Sequence, residues 1–473
     1  MATSGSANAR RSLLGEPVNG AASTKHFAER VALLSGGCDG SPGVTIGTSG
    51  ERGRGVFATR NFAAGERVLS EAPLVGAQHE TNKRHARTCA CCFRFVGSVE
   101  REIGRRLLDK LDDDGEVATS SGSLPGGLTI GDVVKLACGE AKLPGSENFA
   151  GPDPVACVGQ CSAHVYCSER CRDDDWNSHE RMLCLGEGGT ARNKQALEEF
   201  YAHASETNDI FIVAAKVVAN MCVRAMEAKR THDTTQSSGK SVVDEDEERV
   251  MQKVYDYARL PYAVVHNAPW WECVATPDDC EDDEVAETDF RNTLYALAND
   301  SLDLLRHAWN DVAETYPRIF EIETYGRIIG AFELNNLELV VESPTENYFL
   351  AVDAMPHGDE KNAVTRLTQP LLDALDVDYD VPCIGTALFS IQSGFNHDCD
   401  PNAAPLKDES DKTGACVIVA RRPIAAGEEI TISYLADSSN QTRDARQDAL
   451  ADYGFTCRCE RCEREFLESR RRK

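Results

Sequence analysis

The sequence predicts an α+β fold made of several small β-sheets, with cysteine-rich and helical segments inserted between the strands. Short alternating apolar runs bounded by glycines lie near both ends of the chain, around 54–70 and 385–434. Between them, 191–226 and 292–313 carry apolar residues at helical spacing. The nineteen cysteines are grouped rather than scattered, at 89–92, at 157–184, and at 399 with 457–462. A chain of 473 residues is long for one domain, so a core with insertions is expected.

Residues 1–43 are rich in Ser, Ala, Gly and Asn and are expected to be a mobile tail. Order begins near Val44, and 44–86 form the N-terminal part of the core. Within it, 55–58 and 67–70 are expected to be the two strands of a hairpin turning at 63–66. Gly53 and Gly55 flank Arg54, which permits a close backbone approach to a ligand. A cysteine-rich module spans 87–186, and its long interruption at 93–154 is expected to leave the module intact, with a helix at 101–111. Residues 187–320 form a helical insert whose polar stretches, 230–249 and 278–284, are expected to be solvated loops. Val250–Val265 is expected to be partly helical, and 325–337 helical or strand-like. The core resumes over 321–445, with strands at 338–341, 385–392, 416–420 and 430–434. A short helix at 443–452 opens the last segment, 446–473, which ends in the basic run 469–473.

Formal net charge is −27, from 50 basic and 77 acidic residues. That argues against phosphate-backbone binding and suits a basic protein or peptide partner. The longest apolar run, 210–223, is broken by Lys216 and Asn220, so no membrane span is expected. Arg10 and Arg11 are not followed by a long apolar region, which argues against a secretory signal; the Ser- and Ala-rich start leaves an organelle-targeting reading open. The expectation is a cytoplasmic or nuclear monomer.

In a reducing compartment, grouped cysteines read as metal ligands rather than disulfides. Cys89, Cys92, Cys157, Cys161, Cys167, Cys171, His179 and Cys184 supply seven thiols and one imidazole, enough for two tetrahedral zinc ions. Cys92 has the better spacing than its neighbour Cys91. His179 and Cys184 are five residues apart, about 140° around a straight helix, so the helix is expected to end or bend between them.

Three further runs follow in order: GFNHDCDPN (394–402), GEEITISY (427–434) and YGFTCRCERC (453–462). With the earlier RGRGVFA run (52–58), they resemble a SET-domain protein-lysine methyltransferase, and the first cysteine array resembles a MYND zinc finger. Together the chain from about residue 44 onward resembles the SET and MYND domain (SMYD) family. The resemblance implies a SET-type fold of small sheets closed by a pseudo-knot, an inserted finger and a post-SET zinc clip. It is closest to the divergent branch without a C-terminal helical repeat domain, whose substrate groove is more open.

The resemblance also implies roles for particular residues. Arg52, Arg54, Asn335, Ser393, Asn396, His397, Tyr434, Tyr453 and Phe455 would contact S-adenosylmethionine, and Tyr434 would be the catalytic tyrosine. Cys399, Cys457, Cys459 and Cys462 would hold a third zinc, making about three ions per chain. The implied partners are a basic protein substrate, such as a histone or ribosomal protein, and a proline-containing peptide at the finger. The physical chemistry agrees: an amide such as that of Asn396 offers a donor and an acceptor, and an aromatic channel favours the neutral lysine amine. A competing expectation is an adaptor with an idle SET domain; Asn396, His397 and Tyr434 together argue against idleness.

Overall fold

In the computed structural model, which describes residues 12–34, 43–113, 127–237, 246–277, 284–335, 337–408, 410–436, 439–451 and 453–472, twelve short strands divide among four small sheets. In chain order they are β1 Val44–Thr48, β2 Arg54–Ala58, β3 Arg67–Glu71, β4 Val75–Gln78, β5 Val155–Ala156, β6 Val165–Tyr166, β7 Leu337–Val341, β8 Cys383–Leu388, β9 Asn396–His397, β10 Ala403–Pro405, β11 Cys416–Ala420 and β12 Glu429–Ile432. The sheet orders are β1-β2-β12-β9, β10-β11-β3, β4-β8-β7 and β5-β6. Most pairs are antiparallel, but β9 runs parallel to β12, with Thr431 opposite Asn396 and Ile432 opposite His397. That pairing lays the NHDC run alongside the strand that leads into Tyr434.

The expected hairpin does not form. β2 lies between β1 and β12, whereas β3 pairs with β11 in another sheet. The turn itself is present, with Glu66 N–H donating to Ala63 O and Gly65 at φ 80°. Eight residues separate β2 from β3, longer than the tight loops that force neighbouring strands to pair. Alternation identified the strands; β2 pairs locally with β1, but its other partner, β12, and the partner of β3, β11, lie more than 340 residues away in the sequence.

The N-terminal stretch is also not a free tail over its described part. Leu13 and Leu14 are buried, and Gly20–Ala32 is a helix capped by Asn19, whose side chain accepts from Ala21 N–H at 2.9 Å. Arg259, itself buried, donates to the carbonyls of Leu13, Glu16 and Pro17 at 2.8–3.1 Å. Thr324 Oγ1 accepts from Leu13 N–H at 3.2 Å. Composition misleads here because a few apolar residues suffice when a distant arginine satisfies the backbone carbonyls.

The interruption of the finger is likewise structured. Val99–Asp113 and Ile130–Cys138 are helices that meet at Gly104, where an added Cβ would stand 2.2 Å from Ala137 N. Val99, Ile103, Leu107, Val133 and Leu136 join Tyr348, Phe349, Val364 and Leu371 in a hydrophobic cluster of their own. The last four come from the helices Pro344–Ala354 and Asp359–Leu375, a region with no strong sequence signal. Buried Arg106 ties this lobe to the core through the carbonyls of His85, Asp378 and Val381, at 2.7–3.0 Å.

The largest hydrophobic cluster is centred on the helix Ile210–Ser237, where Phe211, Val213, Ala214, Val217, Val218, Met221 and Cys222 are all buried. This helix runs further than expected into the polar 230–249 stretch, and Glu247–Ala263 starts the next one; 238–245 lie outside the described residues. The second expected acidic loop also falls mostly outside them, at 278–283. Among the described residues, no helix is long and apolar enough to cross a membrane.

Candidate active site and metal centres

Polar residues from three distant pieces of chain line one open cavity of about 1420 Å³. Arg52 and Arg54 come from the glycine-rich run, Asn335 ends the helix Ile322–Asn335, and Ser393, Asn396, His397, Tyr434, Tyr453 and Phe455 come from the C-terminal block. All nine residues expected at the cofactor site therefore face the same space.

The glycine-rich run fits because the space is tight. A Cβ at Gly55 would stand 2.6 Å from Glu429 Oε1 and 3.1 Å from Asn396 Nδ2. Gly53 takes φ 78°, a conformation that disfavours any side chain. Glu429 is the hub: it accepts from Asn396 Nδ2 at 2.7 Å and from Arg52 Nη2 at 2.6 Å. Asn396 Nδ2 also donates to Arg54 O at 2.8 Å. Glu429 stands inside the quoted GEE run, yet sequence reasoning assigned it no role.

Two further residues act as braces. Asn402, the last residue of the NHDCDPN run, is buried; it donates to Glu429 O and accepts from Thr431 N–H, both at 2.8 Å, and so seats β12. Glu71 is buried at the end of β3 and accepts from Ile391 N–H and Gln392 N–H, holding the turn that presents Ser393. Burial pushes its carboxyl above the usual range, against those donors. A carboxylate spent on a backbone 320 residues away leaves no local signal.

The segment after the helix Glu247–Ala263 joins the remaining pieces. Arg54 donates to Val264 O and lies over the Phe27 ring at 5.2 Å. Asn335 Nδ2 donates to His266 O at 2.8 Å and to Ala331 O at 2.7 Å. Burial, with Arg54 next to it, lowers the imidazole pKa of His266, which also lines the cavity. Nothing in the sequence marks 264–266 as part of a site.

Tyr434 follows β12 and is partly buried, with its hydroxyl donating to Phe395 O at 2.7 Å. Its backbone N–H donates to His397 Nδ1 at 3.0 Å. With Nδ1 accepting, the neutral imidazole carries its proton on Nε2, which faces Cys399 Sγ at 3.3 Å. Burial keeps His397 neutral, lowering its pKa to about 4. One imidazole thus connects the tyrosine backbone to a cysteine of the C-terminal cluster. Burial also raises the Tyr434 phenol, to about 12, so the hydroxyl keeps its proton at neutral pH. Tyr453 and Phe455 complete an aromatic corner, with ring centroids 5.1 and 6.1 Å from that of Tyr434.

The cysteines gather into three groups whose candidate ligand atoms lie within 4.8 Å of one another. The first is Cys89, Cys92, Cys167 and Cys171; Cys91 is not part of it. The second is Cys399, Cys457, Cys459 and Cys462. The third holds Cys157, Cys161 and Cys184, and here the structure departs from expectation: Glu180, not His179, stands with the thiols. A tetrahedral zinc with sulfur at about 2.3 Å requires sulfurs about 3.8 Å apart. Observed separations are 3.5 Å for Cys92–Cys167 and Cys167–Cys171, 3.8 Å for Cys157–Cys184, and 3.9 and 3.5 Å from Cys399 to Cys457 and Cys462. The residues present therefore fit zinc at each group.

The C-terminal group has its own support. Arg446, with no side-chain exposure, approaches Cys462 Sγ at 3.6 Å and pairs with Glu465 at 2.7 Å. Gln447 brackets Cys457, donating to its carbonyl and accepting from its N–H, both at 2.9 Å. A guanidinium beside a thiolate cluster offsets its negative charge.

Comparison with known proteins agrees with this arrangement. The SET domain family matches residues 53–435. The chain is 39% identical over 440 residues to the histone-lysine N-methyltransferase ATXR2 of Arabidopsis thaliana, covering 89% of this chain and 90% of that protein. It is 24% identical over 448 residues to the protein-lysine N-trimethyltransferase SMYD5 of Gallus gallus, covering 88% and 84%. A SET and MYND domain-containing protein of Dictyostelium discoideum is 38% identical over 89 residues, 19% of this chain and 25% of that one. The finger, the shared SET core and the cysteine groups thus occur together in a chain that belongs to the SET-domain protein-lysine methyltransferases, in an SMYD-like form.

Proposed function

We propose that the large cavity binds S-adenosylmethionine and receives a lysine of a basic protein, with Tyr434 as the catalytic residue and a histone as the substrate class. What supports the reading most is that nine residues spread over 52–455 line one space that reaches Tyr434. When bound, S-adenosylmethionine supplies a methyl group on a sulfonium sulfur, and the lysine nitrogen takes that methyl while the sulfur keeps the bonding pair. The protein's share of the work is binding, alignment and exclusion of water. Asn396 has its Nδ2 committed to Arg54 O and Glu429, which orients its Oδ1 as an acceptor for the cofactor. Phe455, more exposed than most aromatic residues here, offers a stacking face. Tyr453 and Tyr434 wall the lysine entrance, where loss of water favours the neutral amine. The Tyr434 hydroxyl spends its one proton on Phe395 O, which leaves its oxygen lone pairs to orient the reactants as an acceptor.

The histone assignment rests on the name of the Arabidopsis relative and on the net charge of −27. The three ligand groups support a count of three zinc ions per chain. The test is transfer of labelled methyl to recombinant histones and to nuclear extract, wild type beside Tyr434→Phe. Wild type should label a histone, and Tyr434→Phe should be slower by about 100-fold. Labelling that does not depend on Tyr434, or no labelling at all, would overturn the assignment.

A further inference from the structure

We infer that Glu180 is the fourth ligand of the finger's second zinc, in place of His179, and that His164 orients it. The inference rests on the zinc reading of the cysteine groups and is independent of what the enzyme methylates.

The helix geometry selects Glu180. Trp176–Glu180 runs as a π-helix, with Arg181 N–H reaching back to Trp176 O. Such a wide turn absorbs one extra residue. The α-helical pattern then resumes, and Cys184 N–H donates to Glu180 O at 2.8 Å. Glu180 is therefore one turn before Cys184 and shares its face, whereas His179 is rotated away.

The two side chains also have different surroundings. His179 Nε2 lies 3.1 Å from Asp175 Oδ1, and its Nδ1 meets Ser178 Oγ at 3.1 Å. Asp175 is buried and accepts from Tyr166 hydroxyl at 2.8 Å, so His179 belongs to a buried structural pair. The Nε2 contact lacks hydrogen-bond geometry, which leaves His179 as the natural competitor. Glu180 is fully buried. Its Oε1 takes His164 Nδ1 at 2.7 Å, but its Oε2 has no hydrogen-bond partner. A buried carboxylate oxygen without a partner is costly, and a zinc ion held by Cys157, Cys161 and Cys184 would satisfy it.

Charge follows the same logic. Three thiolates and a carboxylate around Zn²⁺ leave a net −2, one more negative charge than with an imidazole. His164 Nδ1, hydrogen-bonded to Glu180 Oε1 at 2.7 Å, takes up part of the carboxylate's charge. The buried Lys216, with Arg87 and Arg105, lines a cavity of about 280 Å³ between finger and core that His164 also borders, so basic side chains collect on this side. Carboxylate is a harder ligand than imidazole and suits zinc less well. This site should accordingly release its ion before the two four-cysteine sites.

Zinc-edge X-ray absorption on the full-length protein tests the assignment directly. The three groups contain eleven cysteines and Glu180 but no histidine, so the spectrum should lack the outer-shell scattering of a coordinated imidazole. Glu180→Ala should lose one zinc per chain by elemental analysis, and His179→Ala should lose none. Glu180→His should keep the ion and acquire the imidazole signature. Imidazole scattering in wild type, or loss of zinc from His179→Ala but not from Glu180→Ala, would overturn the inference. If Glu180→Ala does not fold, the wild-type and Glu180→His spectra still decide. Absence of zinc from wild type would instead defeat the zinc reading itself.

Discussion

The C-terminal cysteine group and the finger use the same chemistry in different mechanical positions. Cys399 lies two residues beyond His397, whose ring bridges its sulfur and the backbone of Tyr434. Its partners at 457–462 carry the segment that places Phe455 and Tyr453 in the cavity wall. None of the finger ligands lines that cavity. The finger docks elsewhere, through Asn220 on Ser178 and through Gly414 N–H on Cys92 O. Metal at the C-terminal group would therefore bear on the proposed reacting centre, and metal at the finger on the stability of a small module with little apolar core.

Breaking the C-terminal group should have the largest effect. Cys457→Ser with Cys459→Ser is expected to abolish measurable methyl transfer while the thermal transition of the core survives, read by labelled-methyl assay and calorimetry. Retained turnover would make the two cysteine regions equivalent. Gly55→Ala should come next. The added methyl collides with Glu429 and Asn396, and displacement of such positioning groups should lower turnover by about 10- to 100-fold, chiefly through weaker cofactor binding measured by calorimetry. In the finger, Cys89→Ser with Cys167→Ser should lower the midpoint of the first thermal transition, yet leave turnover within about threefold at temperatures below it, since no ligand touches the cavity.

The smallest effect should come from a pair outside both regions. His79 and Asp209 are 2.9 Å apart. Their hydrogen bond raises the His79 pKa above 6.5 and lowers that of Asp209 below 3.8. For His79, the folded state holds the proton more tightly, so the stabilisation is fully present below pH 6.5 and fades as pH rises through the folded value. For Asp209 it is present above 3.8 and fades as pH falls through the folded value. His79→Gln should therefore cost most near pH 5–6 and progressively less above neutrality. The pair is about one-third exposed, which limits the cost to under about 1 kcal/mol. Denaturant melts across pH would show it.

Most of the candidate site was legible because its signals are short. NHDCDPN, GEEITISY and CRCERC put particular side-chain types at fixed spacing, and a strand or tight loop converts that spacing into a shared direction. Residues whose work is done for a distant backbone were not legible. Glu71, Arg259 and Arg106 satisfy amides or carbonyls as far as 321, 246 and 275 residues away, and a buried charge bonded to distant backbone looks like any surface charge when read in sequence.

The sequence by itself determined the chemistry: the methyl-transfer motifs, the grouping of thiols and the α+β class all depend on local composition and periodicity. Tertiary structure alone decided the rest. It paired β2 and β3 with remote strands instead of each other, seated the N-terminal segment on Arg259, and turned Glu180 rather than His179 toward three cysteines. The first two were settled by partners hundreds of residues away, which no local pattern can rank, and the third by a π-helical turn that changes which of two neighbouring side chains faces the thiols.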